Sequence, residues 1–499
     1  MRLNFKLIFY IIGLLLIFNG SAMLITAGVS LIFNDGVVNE IVTSSILLIS
    51  FGIILMYFNK NSARQVNKRD GYLIVTVGWL TMILSGMFPY YLTNSITPFS
   101  DIFFETMSGY TATGSTILDD VESLPKSIIF WRSMTHWLGG MGIIVLAIAI
   151  LPLLGIGGMQ LFSAEAPGTG ISGDKIHPRI SATAKRLWFI YFGLTIFETV
   201  ALSVAGMSFF DALNHSMSNI ATGGFSTKNE SLAYWNSTPA IQYIVIFFMI
   251  LAGTNYLLIY SALIGNFKKL FSNTEFSWYI SFILVFVLIT SFSIYNYVDL
   301  QQTSFEHPEI FGKLESSFRH ALFQIVAIIT TTGFVTADFS GLTPFLTMLF
   351  FGLMFLGASS GSTSGGIKIS RFLILVKNGF LEFKKALHPN AVLPLRYNHN
   401  VVKKEVIINI LGFFMLYLIL FIVGAGVLSI QGLDFISAIG GSAASLGNVG
   451  PALGTVGPAF TYTDLTPFAK IWCSFLMLVG RLELFTFLII FSPYFWQKI

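Results

Sequence analysis

Leu7 to Phe33 carries no charged residue, and Ile41 to Phe58 repeats the pattern after a short break. As an α-helix each run is long enough to cross about 30 Å of bilayer hydrocarbon. No soluble fold hides so much apolar surface. Of the 499 residues, 54% are hydrophobic and only 10% charged, against about 25% charged in soluble domains, and the mean hydropathy is +0.76. The solvent for much of this chain is therefore lipid. Leu7–Phe33 is longer than a signal-peptide core and pairs with a second span, so it reads as a retained helix.

The pattern predicts ten spans, near 7–33, 41–58, 72–93, 129–154, 187–208, 240–265, 278–298, 343–376, 405–430 and 468–495. Alternating sides from the N-terminus sorts the 28 basic residues into 21 on one face and 6 on the other, with Arg481 inside a span. The positive-inside rule makes the richer face cytoplasmic and puts both termini there. Acidic residues lean outward, among them Asp119, Asp120 and Glu122. An acidic outer rim focuses cations, and ordinary loop solvation accounts for the same composition. Cys473 cannot form an internal disulfide, being the only cysteine.

Between the spans lie shorter Gly- and Thr-rich stretches: Tyr110-Thr-Ala-Thr-Gly114-Ser-Thr, Ile220-Ala-Thr-Gly223-Gly-Phe, Ile329-Thr-Thr-Thr-Gly333-Phe and Leu446-Gly-Asn-Val-Gly450-Pro. Their central glycines are 109, 110 and 117 residues apart, a period that indicates a fourfold internal repeat. Short amphipathic runs precede them, beginning at Asp101, Asp211, Phe318 and Asp434. The unit is thus helix, half-helix, Gly-containing return loop, helix. Close packing between helices explains one or two such glycines, but not their recurrence.

Irregular backbone at membrane depth is tolerated only where it is buried in protein or lines a wet cavity. Four return loops around one axis meet that condition together. Their carbonyl oxygens replace the water of a dehydrating cation, glycine supplies the torsions that aim them, and the negative ends of the half-helix dipoles favour positive charge at the centre. The expected architecture is an all-α polytopic membrane protein with four pseudo-symmetric helix–pore loop–helix repeats around one ion pore and an N-terminal two-helix hairpin. That makes about ten transmembrane helices and four re-entrant half-helices. The expected divisions are 1–70 for the hairpin, then repeats at 71–186, 187–276, 277–404 and 405–499.

Met107-Ser-Gly-Tyr-Thr-Ala-Thr-Gly114, Ala221-Thr-Gly-Gly-Phe-Ser226, Thr331-Thr-Gly-Phe334 and Asn448-Val-Gly-Pro451 resemble the filter loops of the Trk/Ktr/HKT superfamily of cation transporters. The likeness spans about residues 5–499, and the extra hairpin is similar to the TrkH branch. The resemblance implies potassium as the transported ion, taken up through one pore per chain in a homodimer. It places the filter at Ala112, Thr113 and Gly114; Ala221, Thr222 and Gly223; Thr331, Thr332 and Gly333; and Asn448, Val449 and Gly450. Gly114 stands where sodium-preferring plant relatives have serine. The fourth loop departs from Thr-Gly, as in the family, so an asymmetric filter is expected. One glycine per loop implies looser selectivity than a full TVGYG stretch gives.

The eighth span is interrupted by Gly357-Ala-Ser-Ser-Gly-Ser-Thr-Ser-Gly-Gly366. Its GxxxxG spacing is not a nucleotide loop, because Ile367 occupies the lysine position and a membrane span precedes it. A polar stretch in mid-span cannot face lipid. The resemblance implies an obstructing intramembrane gate built from Gly357, Ser359, Ser360, Gly361, Ser362, Thr363, Ser364, Gly365 and Gly366, working with Arg481. A buried arginine is costly and faces a cavity or a partner, so Arg481 reads either as a cation barrier or as the structural partner of Glu483 or Glu198. His215 and His320 sit on half-helices and read as packing or capping residues.

The largest cytoplasmic pieces, Gly155–Arg186 and Lys368–Lys404, are too short for a regulatory domain, and the chain has no convincing GxGxxG unit. No organic cofactor is expected in this chain. The resemblance implies a cytoplasmic ring of nucleotide-binding RCK subunits of the TrkA kind docking there; basic loops meeting anionic lipid account for the same charges. Rival readings are the potassium-translocating subunit of a P-type ATPase complex, a less selective potassium/sodium transporter, and an intramembrane enzyme. The last lacks a catalytic pair within the spans. The layout suggests a bacterial inner membrane.

Overall fold

A computed structural model describes residues 3–60, 67–154, 180–300, 304–340, 342–398 and 400–497, with backbone alone at 68, 141, 143–154 and 180–184. Arg2, Arg64, Lys175, Arg179, Lys498 and most of the loop Gly155–Arg186 lie outside the described residues.

Among the described residues, six helices are long and apolar enough to cross a membrane: Phe5–Phe33, Val38–Asn59, Arg69–Leu92, Lys185–Val204, Thr274–Tyr297 and Lys404–Ile430. Lys126–Leu154 is a further 29-residue helix. The expected spans 240–265 and 468–495 are not continuous. The first is bent by 105° between Pro239–Ala252 and Tyr256–Leu263, the second by 108° between Pro467–Arg481 and Phe485–Phe491. Local chemistry makes both breaks. Asn255 caps the new helix by accepting from Leu257 N, as N-cap asparagines do, and Glu483 and Leu484 both adopt left-handed φ, at 52° and 58°. The expected span 343–376 is split, as its composition requires, into Pro344–Leu353 and Ile369–Leu387 around the loop 354–368.

The amphipathic runs form half-helices Phe99–Thr111, Phe209–Ile220, Lys313–Ile329 and Phe435–Gly447. Their C-terminal halves are buried on all sides, unlike a surface helix, which shows one polar stripe. The second and fourth start on side-chain caps. Ser208 Oγ accepts from Asp211 N, and the Asp434 carboxylate accepts from Ile436 N and Ser437 N.

The N-terminal hairpin packs through small residues. A Cβ on Gly13 would meet the carbonyl oxygen of Gly52 at 2.7 Å, and one on Gly52 would meet that of Gly13 at 2.6 Å. Such close approach lets dispersion hold membrane helices together without a hydrophobic driving force. Asn19 ties the hairpin to the first repeat, donating to Ser85 Oγ at 2.7 Å and accepting from Tyr110 Oη at 2.6 Å. The protein is an all-α polytopic membrane fold of four helix–pore loop–helix units with a hairpin in front. Its only described strands are the two-residue pair Arg396–Tyr397 and Asn400–Val401.

Candidate functional site

All four half-helices end in the same way. Thr113 N donates to Ser108 O, Gly223 N to Ser218 O, Thr332 N to Ala327 O and Val449 N to Ala444 O, at 2.9–3.0 Å. The residue before each donor bonds three positions back: Ala112 to Gly109, Thr222 to Asn219, Thr331 to Ile328 and Asn448 to Ser445. This is the Schellman closure, whose penultimate residue takes a left-handed conformation. Ala112, Thr222, Thr331 and Asn448 do so, with φ of 50–55°. Two residues on, Gly114, Gly224, Gly333 and Gly450 have φ of 87°, 84°, 73° and 100°.

These equivalences revise the second loop. Matching Thr-Gly dipeptides put Ala221, Thr222 and Gly223 in line with Ala112–Gly114. The backbone instead aligns Thr222, Gly223 and Gly224 with Ala112–Gly114, Thr331–Gly333 and Asn448–Gly450, and Ala221 falls one residue earlier. The missed signal was Gly224-Phe225 against Gly333-Phe334, a better anchor than Thr-Gly when two glycines adjoin.

The loops form a closed ring. A Cβ on Gly114 would collide with the carbonyl oxygen of Gly223, one on Gly224 with that of Thr332, and one on Gly333 with that of Val449; one on Gly450 would come within 2.7 Å of that of Thr113. Each glycine thus seats against the middle carbonyl of the next loop, and the fourth returns to the first. The ring is not uniform. Asn448 Nδ2 donates to Thr113 Oγ1 at 2.9 Å, while the Gly450 carbonyl accepts from Ser115 Oγ at 2.9 Å and Tyr462 Oη at 3.2 Å.

Buried polar struts hold the half-helices from behind. Arg132 pairs with Glu105 at 2.8 Å, with both side chains almost fully buried, and Glu105 also accepts from Thr116 Oγ1 and Ile117 N. Lys470 pairs with Asp101 at 2.9 Å. Arg319 pairs with Glu315 at 2.8 Å and donates to Gln242. Asn219 donates to Glu198 at 2.5 Å. A buried charge needs such partners, so these cations brace the scaffold. His215 and His320 also serve packing: His215 Nε2 lies 2.9 Å from Ser226 Oγ, and His320 Nδ1 3.1 Å from Thr336 Oγ1.

Beyond the ring is a cavity of about 430 Å³, lined by Gly114, Gly224 and Gly333 and by Asp119, Glu230, Asp464, Arg132 and Lys228. The polar loop lies on the other side, against the half-helix ends. Gly365 N donates to Thr331 Oγ1 at 2.6 Å, and Thr363 Oγ1 to Ile220 O at 3.1 Å. The loop is densely bonded. Gly357 N donates to Ile367 O at 2.9 Å and Ile367 N to Phe355 O at 3.0 Å. Ser360 N donates to Glu275 at 2.6 Å, Ser360 Oγ lies 2.6 Å from Ser370 Oγ, and Ser362 Oγ donates to Ser359 O at 2.6 Å. The bend at 253–256 supplies more. Ser359 N donates to Gly253 O at 3.0 Å, Asn255 Nδ2 to Ser360 O at 2.7 Å and Tyr256 N to Gly361 O at 3.2 Å.

Arg481 ends its helix beside this loop. Its guanidinium donates to Thr363 O at 2.8 Å and to Gly139 O at 3.1 Å, joining the loop to the helix after the first ring segment. Glu483 pairs instead with Arg371. Lys368, the first residue of the basic segment Lys368–Lys404, is buried, and its Nζ donates to the carbonyl and hydroxyl of Ser364.

A family model described as TrkH, cation transport protein, matches residues 38–498. The chain belongs to the TrkH family. That is a transport family, not an enzyme family. The Trk system potassium uptake protein TrkH of Salmonella typhimurium is 38% identical over 498 residues, 99% of this chain and 100% of that protein. The protein of the same name from Vibrio parahaemolyticus is 39% identical over 500 residues, with the same coverage. A crystal structure of the potassium transporter TrkH from Vibrio parahaemolyticus superposes with a TM-score of 0.87 at 36% identity, covering 99% of this chain and all of that one. TrkH relatives therefore match the whole length, N-terminal hairpin included.

Proposed function

We propose that this chain takes up potassium across the cell membrane through the passage enclosed by the four loops, as the membrane subunit of a Trk-type system. The observation that carries the reading is the ring, in which each glycine at the third loop position seats against the middle carbonyl of the next loop. A cage of backbone oxygens at one depth can replace a cation's hydration shell. The filter segments in this reading are Ala112–Gly114, Thr222–Gly224, Thr331–Gly333 and Asn448–Gly450. Membership of the TrkH family, with full-length relatives named for potassium uptake, supports potassium as the ion.

In the same reading the loop Gly357–Gly366 and Arg481 form the gate. The loop's bonds to Thr331 and Ile220, at the half-helix ends that carry the ring, and the bond of the Arg481 guanidinium to Thr363 O within the loop support this reading. Both termini face the cytoplasm by the charge asymmetry. The four repeats divide near 71–186, 187–276, 277–404 and 405–499. Two chains form a homodimer, and cytoplasmic nucleotide-binding RCK subunits of the TrkA kind dock on the basic face.

Liposomes holding the purified chain, with opposed potassium and sodium gradients, test the reading. Potassium flux well above sodium flux is expected, alone or with the RCK partner. Equal fluxes would remove the selectivity while leaving a pore; no potassium flux in either condition would sink the proposal.

A further inference from the structure

The 105° bend at Gly253–Asn255 swings Tyr256–Leu263 away from the line of Pro239–Ala252, and the space this opens is an apolar crevice of about 870 Å³. That volume lies near the upper end for small-molecule sites, about 300–1,000 Å³. Leu194, Phe197, Phe247, Leu251 and Phe276 line it, with Phe197 and Phe247 largely exposed at its edges. Thr254 adds no free hydroxyl donor, because Oγ1 donates to Ile250 O at 2.8 Å. Gly193 also lines the crevice, and a Cβ there would meet nothing within 4 Å.

Among the described residues that line the crevice, Arg186 alone is charged. Arg186 is part of the lining, exposed, with its guanidinium 5.1 Å from the centre of the Tyr260 ring. Lys185 is its exposed neighbour. The short helix Phe267–Phe271 puts Phe267 and Leu270 into the crevice wall and carries the exposed Lys268. An apolar concavity with a basic rim is the shape and charge of an acyl chain below a phosphate. Each cation near an anionic membrane surface contributes about 1 kcal/mol of attraction.

We infer that this crevice is a binding site for an anionic glycerophospholipid of the cytoplasmic leaflet, its chain among Leu194, Leu251 and Phe276 and its phosphate at Arg186 and Lys268. The leaflet rests on the orientation proposed above. The site backs directly onto the gate. Thr254 lines it, while Gly253, Asn255 and Tyr256 on either side hold Ser359, Ser360 and Gly361. A lipid that fills the crevice braces the bend that positions the loop, and so stabilises the arrangement it binds.

Native mass spectrometry of the full chain in detergent, titrated with phosphatidylglycerol and phosphatidylethanolamine, tests this without any ion flux, so its outcome is independent of the transport reading. Wild type is expected to retain phosphatidylglycerol at least fivefold better and to gain thermal stability from it. Arg186→Gln with Lys268→Gln, both on exposed positions, abolishes that preference while leaving the unliganded melting temperature unchanged. Gly193→Phe fills open space and reduces retention of both lipids. Equal retention of the two lipids by wild type, or an undiminished preference in the double variant, overturns the anionic site. Unchanged retention in Gly193→Phe overturns its location. Disulfide crosslinking of two Phe197→Cys chains across this face would show that a second copy occupies it, and would also overturn the proposal.

Discussion

Gly223 and Gly224 adjoin in the second loop but lack side chains for different reasons. Gly224 has φ of 84°, and a Cβ there would run into the Thr332 carbonyl. Torsion and neighbouring backbone both forbid a side chain, and neither can give way cheaply. Gly223 keeps ordinary φ and corresponds to Thr113, Thr332 and Val449, which do carry side chains. What excludes one is the His136 ring, held by Ser218 at 2.9 Å and stacked on Phe225 at 4.0 Å. Gly223→Ser therefore loses potassium flux in liposomes, and adding His136→Ala restores a large part of it. Contacting residues couple by about 0.5–3 kcal/mol in such cycles. Gly224→Ser loses flux and selectivity and is not rescued by His136→Ala. Equal rescue of both would show that the register of the second loop is still misread. Periodicity alone made the existence of four loops legible. The register was not, because two adjacent glycines offer two alignments and only the helix-end bonds distinguish them.

The half-helices were readable as amphipathic runs between spans, and their ends follow from capping chemistry. Asp434 accepts from Ile436 N and Ser437 N; the Ser437 side chain foremost, with these backbone bonds, holds its carboxyl below the usual carboxylate value. Asp434→Ala is expected to destabilise the protein by about 1 kcal/mol, read as a fall in melting temperature at pH 7. Because the folded pKa is depressed, the cap's contribution is fully present above the unfolded value of about 3.9. It is lost as pH falls through the folded value. The difference between wild type and variant should therefore shrink only below about pH 4; a difference that vanishes at pH 6 would assign the effect elsewhere. The two bends were not legible, since hydropathy records how apolar a segment is and not its direction. Arg481 consequently read as mid-span, whereas it ends a helix and donates to Thr363 and Gly139. If that guanidinium helps to close the path, Arg481→Gln raises basal potassium flux severalfold with the melting temperature little changed. A folded variant with unaltered flux would leave Arg481 a structural tie.

At the scale of the whole molecule, a ring of four unequal repeats in one chain has one joint that sequence cannot anticipate, where the last repeat meets the first. Three successive joints link neighbours in the chain, but the fourth spans more than three hundred residues. It carries several polar contacts: Asn448 to Thr113, Ser115 to Gly450, Tyr462 N to Thr116 O at 2.8 Å, and the Lys470–Asp101 pair. Asp101 was legible as the start of a half-helix and Lys470 as an outer-side charge; nothing local joined them. Both are buried, so removing one partner strands the other's charge at a cost of about 3–5 kcal/mol, whereas replacing both by apolar groups is far milder. Lys470→Met should thus lower thermal stability sharply, and Lys470→Met with Asp101→Leu should recover most of it. If the joint also sets the spacing between the first and fourth loops, Lys470→Met protein that still folds will lose potassium-over-sodium preference, and the double variant will regain stability without regaining full preference. Stability and preference that recover in step would mean that the pair acts only by holding the fold together. Lys470→Met with wild-type stability would mean that the joint is closed by the backbone and Asn448 contacts without it.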